Sequence, residues 1–234
     1  MGQVPHYMII GNGRVARHFC HYLSLLKIPF SHWHRPDPPA RLKPLLRDAT
    51  HVLALINDQA IDPFITEHLQ ASPAIKVHFS GALVSQMAYG AHPLMTFNTG
   101  FYTLDKYQSI PFVVDTTAPD FTTLLPGLPN HHVKLAPELK AKYHAMCVLS
   151  GNFSCLLWQK FFSALESEFH LPAKTGYTYL RQQTENLLTD YVSAFTGPLA
   201  RGDVATIQKN LAALKCYPFQ QIYQSFVNLK EKIS

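Results

Sequence analysis

No stretch of this 234-residue sequence approaches the ~18 apolar residues that a membrane-spanning helix needs, so no membrane partner is expected. The first residues lack the basic and apolar regions of a signal peptide. His6 stands where a myristoylation motif opening on Met1-Gly2 has Ser or Thr, which makes the cytoplasm the expected location. Cysteine is scarce: Cys20, Cys147, Cys155 and Cys216 are widely spaced, form no C-x-x-C pair and fall in apolar helical patterns. Free core thiols are expected rather than disulfides or a zinc site. Charged residues make up 15% of the chain. The net charge of +5 is scattered, with no dense basic run interleaved with aromatics, so it reads as solvated surface plus a few anion-binding positions, not a nucleic-acid interface. The 13 histidines show no H-E-x-x-H or comparable ligand spacing, and no metal is expected.

What is present is a chain that is 47% hydrophobic, long enough to bury a full core as one large or two modest domains. Near its start, the apolar run His6-Tyr7-Met8-Ile9-Ile10 meets Gly11-Asn12-Gly13-Arg14-Val15-Ala16, the G-x-G-x-x-A form of a dinucleotide-binding turn. Gly11 permits a tight strand-to-helix turn, Gly13 lets the backbone approach a pyrophosphate, and Ala16 lets the helix pack closely on the strand. The helix, Arg14 to about Leu26, would aim free N–H groups and its positive dipole end at phosphates. Gly11, Asn12, Gly13, Arg14 and Val15 are therefore cofactor-binding candidates.

Up to about His132, short β-like runs (Tyr7–Ile10, Phe30–His34, Val52–Ile56, Lys76–Phe79, Leu94–Phe97, Phe112–Asp115) alternate with helical stretches. That alternation predicts a parallel, doubly wound α/β sheet of Rossmann-like type over residues 1–133. Ala118–Pro137, with four prolines and Gly127, reads as a short helix and a connection. Residues 134–234 read as an all-α domain, with helices over Glu138–Phe169, Thr175–Phe195, Asp203–Lys215 and Phe219–Ile233. Their aromatic stripe (Phe153, Trp158, Phe161, Phe162) suits a helix–helix core or a dimer face better than a cofactor box.

Cofactor choice should be written where the second strand ends, at Ser31-His32-Trp33-His34-Arg35-Pro36-Asp37. Arg35 can offer its planar fork to a 2′-phosphate, with Ser31 or His34 as further donors and Arg14 nearby, which favours NADP. Asp37 is the rival and would suit the ribose hydroxyl of NAD.

Further constellations follow: Ile56-Asn57-Asp58, a polar strand end whose Asn57 and Asp58 join the cofactor candidates; Val77-His78-Phe79-Ser80-Gly81-Ala82; His92-Pro93-Leu94-Met95-Thr96-Phe97; Tyr143-His144-Ala145 with Asn152; and Thr196-Gly197-Pro198-Leu199-Ala200-Arg201-Gly202-Asp203. In this order they resemble a family of NADP oxidoreductase-like proteins that join a Rossmann-like domain to a helical domain of unknown function. The helical part is similar to that of the 6-phosphogluconate dehydrogenase superfamily. The resemblance covers nearly the whole chain. It implies an enzyme akin to ketopantoate reductase, pyrroline-5-carboxylate reductase and prephenate dehydrogenase, a homodimer joined through the helical domains, and an active site between the domains. Many relatives in the hydroxyacid dehydrogenase branch carry a catalytic Lys on the first long helix with Asn four residues later; here that helix reads Lys140-Ala141-Lys142-Tyr143-His144, which puts a lysine mechanism in doubt.

The catalytic candidates are His78, Ser80, His92, His144 and Asn152, because hydride transfer needs a proton donor or acceptor beside the reacting carbon and histidine titrates near neutrality. Four of them keep a plainer alternative: His78 as a satisfied core histidine, Ser80 and His92 as turn residues, His144 as a packing residue. His144 and Asn152 can share a helix face, being slightly more than two turns apart. Arg201 could grip a substrate carboxylate bidentately. Equally, Gly197-Pro198 and Asp203 could make its segment punctuation between helices. The reading is an NADP-dependent oxidoreductase acting on a carbonyl or imine of a small carboxylate-bearing metabolite. A prephenate-dehydrogenase-like enzyme and a catalytically silent NADP-binding regulatory module remain as alternatives.

Overall fold

Tyr7-Met8-Ile9-Ile10 is buried on both faces, as a central strand of a parallel sheet must be, and forms β1 (Tyr7–Ile10). The computed structural model describes residues 4–233; Met1 and Gly2, which open the myristoylation reading, lie outside the described residues. After β1 come α1 (Arg14–Leu25), β2 (Phe30–Trp33), α2 (Leu42–Leu46), β3 (His51–Ala54), α3 (Asp58–Phe64), β4 (Ile75–His78) and β5 (Tyr89–Pro93). Then follow α4 (Leu104–Gln108), β6 (Phe112–Asp115), α5 (Phe121–Leu124), β7 (His132–Leu135), α6 (Lys140–Cys147), α7 (Ser154–Ser167), α8 (Tyr177–Thr189), α9 (Pro198–Arg201), α10 (Val204–Ala213) and α11 (Phe219–Ile233). None of the described helices is long and apolar enough to cross a membrane.

The strands form one seven-stranded sheet in the order β2-β1-β3-β4-β5-β6-β7. Placing β2 on one side of β1 and β3 on the other puts the connecting helices on opposite faces. On one face Ala16, Phe19, Tyr22 and Leu23 of α1 pack on Tyr7, Ile9, Leu53 and Val77. On the other, Leu42, Ile61, Ile65 and Leu69 cover Met8, Ile10, Val52 and Ala54. This is the expected doubly wound, Rossmann-like α/β arrangement. Each such large side chain contributes ~1.5–3 kcal/mol by burial.

Three details depart from expectation. The strand read over Leu94–Phe97 lies instead at Tyr89–Pro93, because the Met95 N–H folds back onto the Pro93 carbonyl (2.8 Å) and turns the chain out of the sheet. β6 then runs antiparallel to β5. The stretch read as a connection supplies β7, parallel to β6, whose Lys134 ammonium donates to the Ala118 (2.7 Å) and Pro119 (3.1 Å) carbonyls.

The chain divides into two compact units between Cys155 and Leu156, so α6 belongs with the sheet although it lies beyond the change of composition near residue 133. In the second unit Trp158, Phe161, Phe162, Tyr177 and Tyr179 cluster edge to face or tilted. Gly176 admits this packing: a Cβ there would lie 2.9 Å from Phe161 and 3.0 Å from Phe162. Helix α8 ends at Thr189, short of the expected Phe195. There the Asp190 carboxylate accepts from the Val192 N–H and the Ser193 hydroxyl, a local turn that competes with the helix. All four cysteines are free, but they are not core thiols: Cys20 and Cys147 are half-buried and Cys155 and Cys216 exposed, the last in a left-handed turn with φ 66°.

Candidate active site

The turn after β1 is shaped by contacts that leave its open side to a ligand. Gly11 has φ +118°, and a Cβ there would sit 2.2 Å from the Leu55 carbonyl oxygen, so only glycine fits. Its N–H donates to the Trp33 carbonyl (2.9 Å), and the Gly11 carbonyl oxygen lies 2.5 Å from the His32 Nε2. Gly13 is the N-cap of α1; nothing lies within 4 Å of where its Cβ would be. No side chain caps this helix and its first turn holds no acid. Free N–H groups and the positive end of the helix dipole are therefore available to an anion.

Around that turn lies a cleft of about 660 Å³, lined by Gly11, Asn12, Gly13, Arg14, Val15, His34, Arg35, Asn57, Asp58 and, at its far end, Phe79 and Ser80. The structure thus brings all nine cofactor candidates to one cleft. Arg14 and Arg35 are exposed and form no ion pair among the described residues. Asp37, the rival for a ribose hydroxyl, is engaged: its carboxylate accepts from the His34 N–H (3.0 Å) and from Arg41 (3.4 Å) and lies 2.9 Å from the His34 Nδ1. The His34 N–H, then the nearby cations, hold its carboxyl below the ordinary value. Asn57 caps α3 by accepting from the Gln59 N–H (3.0 Å).

At the far end, the Ser80 hydroxyl donates to Asp58 (2.5 Å) and accepts from the Ala82 (3.2 Å) and Leu83 (2.9 Å) N–H groups. Its donor and acceptors are all committed to closing the turn onto α3. Next to it, a Cβ on Gly81 would meet the His144 ring at 2.5 Å and the His92 ring at 3.3 Å, so this glycine carries the backbone against both imidazoles. The His92 and His144 ring centroids are 6.0 Å apart, and the His92 Nδ1 shares a 2.8 Å hydrogen bond with the Tyr143 hydroxyl. Burial, followed by the charges of His144 and Lys140, pushes His92 down to about 4. His78 ends β4, fully buried. Its Nδ1 accepts from the Ser80 N–H (3.2 Å), leaving the proton on a partnerless Nε2. Burial and then Lys140 push it, too, down to about 4.

Asn152 is exposed on a π-helical stretch, Val148–Phe153, that joins α6 to α7. Eight residues of α-helix overshoot two turns by about 80°; the wider π turn takes back part of that and returns Asn152 toward the His144 side. Arg201 ends the short α9 in the second unit. Gly202 there is left-handed with φ 68°, and Asp203 caps α10 through the Thr206 N–H, which is the punctuation geometry.

Sequence reading passed over one pair. Lys140 and Asp115, 3% and 6% exposed, form an ion pair of 2.8 Å. Asp115 also accepts the Gly90 N–H (2.8 Å). Tyr143, seen only as part of a motif, is what joins α6 to His92.

No curated protein matches the chain. Solved structures share its fold. A provisionally named NADP oxidoreductase from Bacteroides fragilis is 16% identical at TM-score 0.77, with 97% of this chain and 98% of that chain covered. An imine reductase from Myxococcus stipitatus in complex with NADP+ is 12% identical at 0.66, covering 97% and 93%. A reductive aminase from Aspergillus terreus in complex with NADPH and ethyl levulinate is 13% identical at 0.64, covering 98% and 93%. The model of the family described as a domain of unknown function, DUF2520, matches residues 111–229, over half of the sequence, and the chain belongs to that family.

Proposed function

We propose that the chain is an NADP-dependent oxidoreductase that transfers hydride to or from a carbonyl or imine of a small carboxylate-bearing metabolite. The observation that carries this reading is the cleft itself. An uncapped helix N-terminus flanked by two arginines that pair with no acid among the described residues runs to a turn, Ser80-Gly81, that touches two histidines. NADP is preferred to NAD because Asp37 is already held by His34 and Arg41, whereas Arg35 and Arg14 are free to face a 2′-phosphate. The bound NADPH and NADP+ of the aminase and imine reductase neighbours support the same choice.

Bound NADPH would supply hydride to the carbonyl or imine carbon, so the chain's own residues must deliver a proton to the oxygen or nitrogen. His144, half-buried against His92, is the proposed donor, and the Tyr143 hydroxyl holds the His92 ring beside it. His78 and Ser80 shape the turn that borders the cleft through the Ser80 N–H and the Asp58 contact. Asn152 is proposed for the polar end of the substrate.

A homodimer joined through the helical unit is proposed from its uncovered apolar side chains, among them Leu188, Tyr191 and Val192. A cytoplasmic, reducing location is proposed from the free cysteines. The test is NADPH oxidation with ketoacids and cyclic imines, and NADP+ reduction with prephenate-type acids. Turnover that falls at least tenfold in His144→Asn supports the reading. Tight NADPH binding without turnover on any of them favours a silent cofactor-binding module, a reading to which the locking of Lys140 by Asp115 lends weight.

A further inference from the structure

Ile10, Ala54, His78, Gly90 and Asp115 stand in one register row across five adjacent strands, the last two flanking the aligned pair Ala91 and Val114 of the antiparallel strands. Residues in one row face the same side of the sheet. The row is apolar up to Ala54 and then turns polar, with a gap at Gly90. That gap is filled from outside the sheet: a Cβ on Gly90 would lie 2.2 Å from the Lys140 Nζ and 2.6 Å from the Asp115 Oδ2. The ammonium therefore lies over a bare backbone position, next to His78 on one side and clamped by Asp115 on the other.

Lys140 is also the first residue of α6. Three and four residues later the same helix carries Tyr143 and His144, which share its face with Lys140. A buried ammonium with one dedicated slot cannot slide by a residue without losing its counter-charge, so it sets both the register and the rotation of α6 over the Gly81 turn.

We propose that Lys140 is a positioning residue, not a proton donor: seated over Gly90 and clamped by Asp115, it fixes α6 so that Tyr143 and His144 lie against His92. The inference rests on the proposed oxidoreductase reading for its catalytic consequence but not for its structural one. Charge repulsion from the same ammonium also favours the neutral forms of His78 and His92 beside it.

The test uses the full chain and two variants. Gly90→Ala puts a methyl group where the ammonium now lies; because that ammonium ends a flexible stem, it is the group that gives way. Lys140→Met with Asp115→Asn removes both charges together and keeps an acceptor for the Gly90 N–H, so no unpaired buried charge threatens folding. Imidazole nitrogen NMR of His92, with Tyr143→Phe as the reference for a lost contact, reads the position of α6 directly.

In both variants the His92 Nδ1 signal should move to that of the reference. NADPH affinity should be unchanged, while kcat for imine or ketoacid reduction falls by roughly tenfold to a hundredfold. A His92 signal unchanged from wild type in either folded variant overturns the proposal, as does a lost contact with unaltered kcat. Absence of turnover in the unmodified protein would count against the oxidoreductase reading alone, since the NMR result stands without it.

Discussion

The two units of this chain treat apolar side chains in opposite ways. In the sheet unit, Tyr7, Met8, Ile9, Leu23, Val52, Phe112 and Leu124 are all sealed from solvent. In the helical unit only a few positions, such as Leu165 and Leu211, are buried, while Leu188, Tyr191 and Val192 are 84%, 79% and 72% exposed. A sheet covered on both faces completes its own core. A small set of helices with apolar stripes on more than one side needs another surface to do so. The difference also locates the chemistry: polar groups buried without water demand exact partners, and the sheet unit is where such groups occur.

The sharpest break between the units should therefore come from one buried side chain. Lys140→Ala leaves the Asp115 carboxylate 6% exposed and without its cation, and is expected to cost about 3–5 kcal/mol in urea unfolding of the sheet unit. A loss below about 1 kcal/mol would show that water already reaches this pair.

Next in size is the response to acid. His78 is held down to about 4, below the ordinary value near 6.5, so between these values the unfolded chain binds the extra proton and stability rises with pH. The contribution is complete above pH ~6.5 and is lost as pH falls toward ~4, by up to about 3 kcal/mol for this fully buried ring. His92, also held down to about 4, acts in the same direction. Melting temperature followed from pH 7 to pH 4 checks it, and His78→Gln should flatten the slope; an equal slope in that variant would refute the assignment.

Legibility follows the same division. The strands Tyr7–Ile10 and Phe112–Asp115 were readable because strands buried in the middle of a sheet carry short, largely apolar runs. The glycine turn was readable because its residue types are dictated by local backbone geometry. β7 was not: His132-Val133-Lys134-Leu135 is an edge strand with three exposed residues and carries no apolar run. Nor was the Lys140–Asp115 pair, whose members are brought together only by the β5–β6 register and the Gly90 slot, neither of which has a local signal. The Tyr143–His92 bond spans 51 residues and is hidden for the same reason. In the helical unit, periodicity predicted the helices but not how far α8 runs, because the Asp190 turn wins locally.

The smallest effect tests the other side of the comparison. Leu188→Ser with Tyr191→Ser, on the uncovered helical surface, should change monomer unfolding by less than about 0.5 kcal/mol. In sedimentation it should weaken the proposed dimer. A large loss of monomer stability would mean these side chains belong to an intrachain core.

Calorimetry of NADPH and NADH on wild type and Arg35→Ala asks whether the Gly11–Gly13 cleft holds NADP through Arg14 and Arg35. The wild type should bind NADPH more tightly than NADH, and Arg35→Ala should lose roughly tenfold for NADPH with little change for NADH. No binding of either nucleotide, or equal binding of both that Arg35→Ala leaves untouched, would contradict it.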